Sequence, residues 1–136
     1  MLNTYDEYAA FLATLQERFG RIQNIKFNAY RTSATRASSS GTIILPKEIT
    51  LKFNEKINFE KKKLVDYGYV VYQAGEKLYY YDSQSHPDDP SLASTFPHHK
   101  HIHPDLKHHR IPAPGISFER SNLEFLIREI EMTLLA

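Results

Sequence analysis

The chain contains no cysteine, which removes several kinds of chemistry at once. Without a thiol there can be no disulfide, no thiolate zinc site and no cysteine nucleophile. The absence fits a reducing compartment. No run of about 18 apolar residues is present, so we expect no segment to span a membrane. The first residues have neither the basic nor the apolar region of a signal peptide, and we expect a cytoplasmic protein.

Several common catalytic motifs are also missing. The sequence has no phosphate-binding P-loop, no G-x-G-x-x-G, no G-x-S-x-G elbow and no H-E-x-x-H. Each of these motifs supplies backbone amides, a nucleophile or metal ligands that its reaction needs. Nucleotide hydrolysis, dinucleotide redox chemistry and zincin-type proteolysis are therefore disfavoured.

The net charge of +1 hides an uneven distribution along the chain. Residues 21–81 carry eleven Lys or Arg and five Asp or Glu, a net charge of +6, whereas both ends of the chain are acidic. A basic stretch of this kind suits a polyanion such as RNA. It is equally compatible with a solvated face of a β-sheet.

The periodicity of the sequence predicts one domain over residues 1–136. Amphipathic helices are expected at both ends, each opened by a capping box, Thr4 with Glu7 and Ser121 with Glu124. Between them, period-two alternation predicts strands near residues 25–29, 49–53, 64–72 and 78–81. Residues 31–41 are expected to form a mobile loop, and 83–115 a long irregular His/Pro-rich segment. The predicted fold is α+β, an antiparallel sheet of four to five strands flanked by an N-terminal and a C-terminal helix.

All seven histidines lie between His86 and His109, and the rest of the chain has none. Imidazole exchanges protons near neutral pH, with an unperturbed pKa of about 6.5, and is a common metal ligand. The run His98-His99-Lys100-His101 is therefore the first place to look for a functional site.

One chemistry open to these residues is cleavage of RNA without a metal or any other cofactor. One histidine among His98, His99 and His101 would remove the 2′-OH proton, another would protonate the leaving 5′-oxygen, and Lys100 would stabilise the negative charge. Tyrosines of the predicted hairpin would stack on bases. The residues expected to contact RNA are Arg31, Arg36, Tyr69, Tyr81 and Arg110.

Two other interpretations stay open at this point. In an extended strand His99, His101 and His103 would share one side, with His98 and Lys100 on the other, and three such imidazoles resemble a metal-binding face. A carboxylate from Asp82, Asp88, Asp89 or Asp105, or a further imidazole from His86, would complete or support that set. Alternatively, the histidines only shape a loop of a non-catalytic RNA- or protein-binding module.

Four short stretches of the chain resemble the TumE-like toxin family. They are residues 64–69 (LVDYGY), 79–83 (YYYDS), 86–87 (HP) and 95–101 (TFPHHKH). The last of these contains the P-H-H-K-H run, which is rare by composition. The resemblance extends more loosely from about residue 25 to the terminal helix.

This resemblance implies a growth-inhibiting toxin of a type II toxin–antitoxin module, acting as an endoribonuclease. It implies a cognate antitoxin as partner, often a helix-turn-helix protein, with RNA as substrate. It also implies a set of site residues, carried over by position: Asp82, His86, His98, His99, Lys100 and His101.

Overall fold

The computed structural model describes residues 2–136, which form two helices, a short 3₁₀ helix and seven strands. The helices are α1 (Tyr5–Arg18) and α2 (Leu123–Thr133), and the 3₁₀ helix is Pro90–Thr95. The strands are β1 (Asn24–Arg31), β2 (Arg36–Leu45), β3 (Ile49–Asn58), β4 (Lys63–Gln73), β5 (Glu76–Asp82), β6 (His99–Ile102) and β7 (Arg110–Pro112). All seven strands lie in one antiparallel sheet in sequence order.

The predicted α+β class is confirmed, but the predicted number of strands is too low. Residues 36–41, expected in a mobile loop, are the first half of β2. Their serines alternate: Ser39 is buried beneath α1, where its hydroxyl lies 2.6 Å from that of Tyr8, while Ser38 and Ser40 point away. A strand made of small polar residues carries no apolar alternation, so sequence periodicity misses it.

The long His/Pro-rich segment is also less irregular than expected. It contains the 3₁₀ helix and the two last strands, β6 and β7. The alternating buried positions of β6 are His99 and His101, polar residues that the hydrophobic pattern does not register.

Both helices pack on one face of the sheet. Tyr8 of α1 donates to Glu55 of β3, and Tyr81 of β5 donates to Glu129 of α2. The core between these two layers is apolar along β3, where Ile49, Leu51 and Phe53 are fully or almost fully buried. The opposite face of β1 to β4 has no helix over it in residues 2–136, and its side chains are exposed or half-buried.

Of the first predicted capping box the structure shows the Thr4 bond, and of the second only a 3.3 Å hydrogen bond from the Leu123 amide to the Ser121 hydroxyl. The Thr4 hydroxyl accepts a hydrogen bond from the Glu7 amide at the start of α1. At α2 the N-cap position is held by Asn122, without a capping side-chain bond. The Ser121 hydroxyl instead donates to the carboxylate of Glu55 at 2.8 Å, because that buried group needs donors.

Candidate functional site

The candidate site lies on the last three strands of the sheet. Asp82 at the end of β5 pairs with His99 of β6, Tyr80 pairs with His101, and His101 pairs with Arg110 of β7. Side chains of residues paired across antiparallel strands point to the same face. The register therefore collects these five residues on one face of the sheet.

That face is the one turned away from the helices. Tyr81 and Lys100, which alternate with the site residues, both contact Glu129 of α2. Because successive side chains of a strand point to opposite faces, the site residues of β5 and β6 face the other way.

Three polar groups meet at the centre of the site. His99 Nε2 lies 3.1 Å from Asp82 Oδ1 and 3.1 Å from His101 Nε2. His101 Nε2 lies 3.5 Å from Asp82 Oδ2. We call these residues the Asp82–His99–His101 triad.

Both imidazole rings of the triad are fixed through their other nitrogen. His99 Nδ1 lies 3.2 Å from the carbonyl oxygen of Pro97, and His101 Nδ1 lies 2.6 Å from that of Leu106. A carbonyl oxygen only accepts hydrogen bonds, so each Nδ1 carries the hydrogen. With a single hydrogen on each ring, the Nε2 lone pairs therefore point toward each other and toward the carboxylate. Stacking of Tyr80 on His101, with ring centroids 4.0 Å apart, holds this orientation.

A third imidazole and a guanidinium stand beside the triad. His86 meets His99 edge to face, with ring centroids 4.7 Å apart, and ring nitrogens of His86, His99 and His101 all lie within 4.8 Å of one another. Arg110 Nη1 donates to His86 Nδ1 at 3.0 Å, and Arg110 Nη2 lies 3.8 Å from the carboxylate of Asp89.

Burial decides the ionisation of this cluster. His99 and His101 are only 1% and 3% exposed, and desolvation lowers the pKa of His101 below its usual value. Desolvation and the charge of Arg110 also lower the pKa of His86. Desolvation alone would raise the pKa of Asp82, but a proton on His99 or His101 would be donated toward this carboxylate, and that hydrogen bond and charge bring its pKa below the usual range. The site thus combines an ionised carboxylate with two imidazoles, His86 and His101, that favour the neutral form.

An open cleft of about 560 Å³ leads to the cluster. His86 and Arg110 form its inner wall, and acidic and proline residues of the His/Pro-rich segment form the rest. Its lining residues are Ser85, His86, Pro87, Asp88, Asp89, Pro90 and Arg110.

Comparison with known families identifies the chain. Residues 11–134 match the family described as toxin TumE, which covers most of the chain. The chain belongs to the TumE toxin family. It is therefore a toxin, and a toxin of this family implies an antitoxin partner. The comparisons with curated proteins and with solved structures gave no match.

The structure divides the expected catalytic residues of this TumE toxin between two faces. Four of them, Asp82, His86, His99 and His101, lie together in the cluster described above. His98 lies on the helix face, where its Nδ1 is 2.6 Å from the Tyr67 hydroxyl. Lys100 is also on that face, 3.4 Å from Glu129 and above the ring of Tyr79. His98 and Lys100 therefore do not share the site with the other four.

The expected RNA contacts of the toxin are likewise only partly accessible. Tyr69 is 0% exposed and donates to Glu55, and Tyr81 is 2% exposed and donates to Glu129. The prediction that they contact RNA is corrected here, because neither ring has a face that a base could reach.

The three expected arginine contacts lie in different places. Arg110 belongs to the cluster. Arg31 at the end of β1 covers the ring of Tyr5, while Arg36 at the start of β2 is exposed near Tyr30. With strands about 4.8 Å apart, β2 is three spacings, roughly 14 Å, from β5. Neither Arg31 nor Arg36 can touch a substrate group held at the cluster.

The metal-binding set expected from the sequence is also corrected by the geometry. His99 and His101 share a face, as the alternation predicted, but β6 ends at Ile102. His103 lies beyond that end, and its Nε2 donates to the carbonyl of Lys77 at 2.9 Å. The third imidazole near the pair is His86, contributed by a loop that no local spacing could connect to β6.

Sequence reasoning missed the surface that continues the site across the sheet. One row of paired residues runs from β1 to β7: Lys26, Thr42, Lys52, Val70, Tyr80, His101 and Arg110. Lys52, Asn54 and Lys56 of β3 are exposed on this side. We call the side of β1 to β4 turned away from the helices the open face. The alternation of Lys52, Asn54 and Lys56 with buried residues was the available signal.

Residues 2–136 contain no helix that is both long and apolar enough to cross a membrane.

Proposed function

We propose that this toxin inhibits growth as an endoribonuclease of a type II toxin–antitoxin module. The observation that carries the proposal is the cluster itself. An ionised carboxylate, three imidazoles and Arg110 meet at an open cleft, at one end of a polar and basic sheet face. Titratable groups with shifted pKa values in a cleft are the usual mark of an active site.

Arg110 has a free donor that supports phosphate binding. Its Nε is buried and has no hydrogen-bond partner within residues 2–136, while Nη1 contacts His86. A buried unpaired donor is uncommon in proteins and calls for an acceptor. The guanidinium fork matches two oxygens of a phosphate group, and Arg110 lines the cleft with its side chain 21% exposed, so a phosphodiester there would meet the guanidinium and would reach Nε after a shift of the side chain.

His86 is the imidazole of the cluster that faces the cleft. In the proposed reaction His86 takes the proton of the ribose 2′-OH, whose oxygen attacks the adjacent phosphorus. The bond to the 5′-oxygen breaks, that oxygen takes its proton from a water molecule of the open cleft, and Arg110 stabilises the charge on the phosphorane, while His86 afterwards releases its proton to solvent. The products would end in a 2′,3′-cyclic phosphate and a 5′-hydroxyl.

The open face supports a polyanionic substrate. Lys26, Lys52 and Lys56 project from it, and Tyr80 at its boundary with the cluster is half-buried, with Lys77 above its ring. Cationic side chains that follow one surface are typical of proteins that bind the backbone of single-stranded RNA, whereas the Tyr80 ring is covered by His101 on one side and by Lys77 on the other. The proposed reaction uses no metal, as expected from the sequence, and a metal ion at the triad would be a separate feature of the site.

The test is induced expression in a bacterial host, with growth and total RNA integrity followed together. We compare the wild type with His86→Ala and with His108→Ala, a histidine that is 69% exposed and lies outside the cluster. Growth arrest with RNA fragmentation is expected for the wild type and His108→Ala, and not for His86→Ala. Arrest with intact RNA in the wild type would contradict the ribonuclease. Soluble wild-type protein without arrest would favour a non-catalytic binding module.

We further propose that the antitoxin covers the open face or the cleft, through an acidic or apolar helix. A helix-turn-helix protein, as the family resemblance implies, would be a suitable partner. The basic open face offers charge complementarity to an acidic partner. Co-purification of the two proteins, lost when Lys52 and Lys56 are changed to Glu, would support this arrangement. A complex that tolerates both changes would place the antitoxin elsewhere.

A further inference from the structure

The Asp82–His99–His101 triad has an electrostatic arrangement that a bound cation would stabilise. Both Nδ1 hydrogens are committed to backbone carbonyls, so two Nε2 lone pairs stand 3.1 Å apart and face a carboxylate. Three acceptors at this distance repel one another when nothing lies between them. The rings are almost fully buried, so water does not screen the repulsion.

We infer that the triad is a binding site for a divalent transition-metal ion, held by His99 Nε2, His101 Nε2 and an Asp82 carboxylate oxygen. The separations between these atoms are 3.1, 3.1 and 3.5 Å. Donors about 2.0–2.1 Å from a tetrahedral Zn²⁺ are separated by about 3.3 Å. The three atoms are thus already spaced as ligands of one ion.

The surroundings of the triad match those of metal ligands in general. A histidine bound to a metal through one nitrogen nearly always donates its other N–H to a carbonyl or carboxylate. Both rings do so, to Pro97 and Leu106. A single proton could bridge only part of this arrangement, because it joins one donor to one acceptor at normal geometry. A metal ion uses all three lone pairs.

The donor set also indicates the class of ion. Two imidazoles and one carboxylate are the ligands of Zn²⁺, Fe²⁺ and similar ions, whereas Mg²⁺ and Ca²⁺ prefer oxygen donors alone. With three protein ligands, a coordination position is left for water or substrate, toward His86 and Arg110. We treat His86 as a neighbour of this site and not as one of its three ligands, because its ring meets His99 edge to face and lines the cleft, where we assign it to the proton of the 2′-OH.

Metal binding is tested without RNA, on full-length protein made without a histidine tag. Metal content is measured after purification, and Zn²⁺ titration of chelator-treated protein gives the affinity. About one ion per chain is expected. His99→Ala and His101→Ala should each weaken Zn²⁺ binding by more than the roughly 100-fold that loss of a supporting residue can cost. Asp82→Asn should weaken it as well, and Mg²⁺ should not compete.

Each control variant loses one histidine, as His99→Ala and His101→Ala do. His108→Ala and His103→Ala remove a histidine outside the triad and should bind Zn²⁺ with unchanged affinity. An equal loss in His103→Ala and His101→Ala would overturn the assignment, as would full affinity in His99→Ala. Thermal unfolding identifies variants that fail to fold. The decisive measurement is on the wild type. Zn²⁺, but not Mg²⁺, should raise its thermal unfolding temperature, and bound Co²⁺ should give the visible spectrum of a tetrahedral site. The absence of both effects would contradict the metal site.

This inference goes beyond the proposed function, and the two fail separately. Because His86 is not assigned as a ligand, His86→Ala should abolish RNA cleavage and retain Zn²⁺ binding within a few-fold. If the wild type binds metal but does not cleave RNA, the proposed ribonuclease activity is wrong and the metal site stands. If the wild type binds no Zn²⁺ and still cleaves RNA after complete removal of metal, the metal site is wrong and the proposed ribonuclease activity stands.

Discussion

At the scale of single residues, Glu55 is the most constrained group in the core. Its side chain is 0% exposed and accepts hydrogen bonds from the hydroxyls of Tyr8, Tyr69 and Ser121, and from the backbone N–H of Asn122. These donors come from α1, β4 and the segment leading into α2. One carboxylate therefore ties both helices to the sheet.

Replacing Glu55 should destabilise the fold. In Glu55→Gln, an amide NH₂ replaces one acceptor oxygen and faces hydroxyls that were donating to it, which leaves buried donors unsatisfied. We expect a loss of about 2 kcal/mol or more in the free energy of unfolding, measured by urea denaturation. Glu60→Gln, an exposed change of the same chemistry, should alter stability by less than about 0.5 kcal/mol. Equal midpoints for the two variants would contradict the role of Glu55.

The same residue predicts a pH dependence. Burial, the largest effect, raises the pKa of Glu55, although the hydrogen bonds from Tyr69, Tyr8 and Ser121 oppose it. The native carboxyl then holds its proton more tightly than the unfolded one. Its stabilising contribution is complete below the unfolded pKa of about 4.3 and is lost as the pH rises toward the native pKa. The stability advantage of the wild type over Glu55→Gln should therefore shrink from pH 4 to pH 7.

His98 and His99 are adjacent in sequence but face opposite sides of the sheet. His98 contacts Tyr67 and Phe118, so His98→Ala should lower stability by about 1 kcal/mol through lost packing while RNA cleavage persists. His99→Ala should abolish cleavage. Growth arrest in the expression assay distinguishes the two, with thermal unfolding to confirm that both variants fold. Loss of cleavage in a folded His98→Ala would return His98 to the active site.

At the scale of elements, the fold was predictable wherever apolar residues follow a clear period. Both helices, β3 and the hairpin of β4 and β5 satisfy that condition. The start of β2 fails it, because residues 36–41 contain serines and a glycine where larger residues would not fit under α1. Strand β6 fails it because its buried positions are His99 and His101. The alternation that separated His98 and Lys100 from His99 and His101 was visible in the sequence, whereas the approach of His86 depended on tertiary structure.

Gly41 shows why the first half of β2 has small residues at its inward positions. A Cβ at this position would lie 2.6 Å from the ring of Phe53 and 2.7 Å from the carbonyl oxygen of Lys26. The backbone carbonyl cannot move without disturbing the pairing of β1 with β2. We expect Gly41→Ala to destabilise the protein by about 1–3 kcal/mol in urea denaturation. Ser40→Ala, an exposed change on the neighbouring position, serves as control, and equal stability of the two would contradict this account.

At the scale of the whole molecule, the sheet separates structure from chemistry. One face is packed against both helices and contains the core, and the other runs from the lysines of β1 and β3 to the cluster on β5, β6 and β7. Six strand spacings of about 4.8 Å give this row a width near 29 Å, enough for several nucleotides. The arrangement predicts that substrate affinity and catalysis can be altered independently.

The double variant Lys52→Glu, Lys56→Glu tests that separation. Both side chains are exposed on the open face, so the change should weaken binding of a single-stranded RNA and reduce the salt dependence of its affinity, because fewer phosphate contacts release counterions. Lys61→Glu, Lys62→Glu has the same net charge but alters the exposed turn between β3 and β4. It should bind RNA nearly as the wild type does. Equal weakening of both variants at 150 mM salt would show that only net charge matters and that the open face is not the path of the RNA.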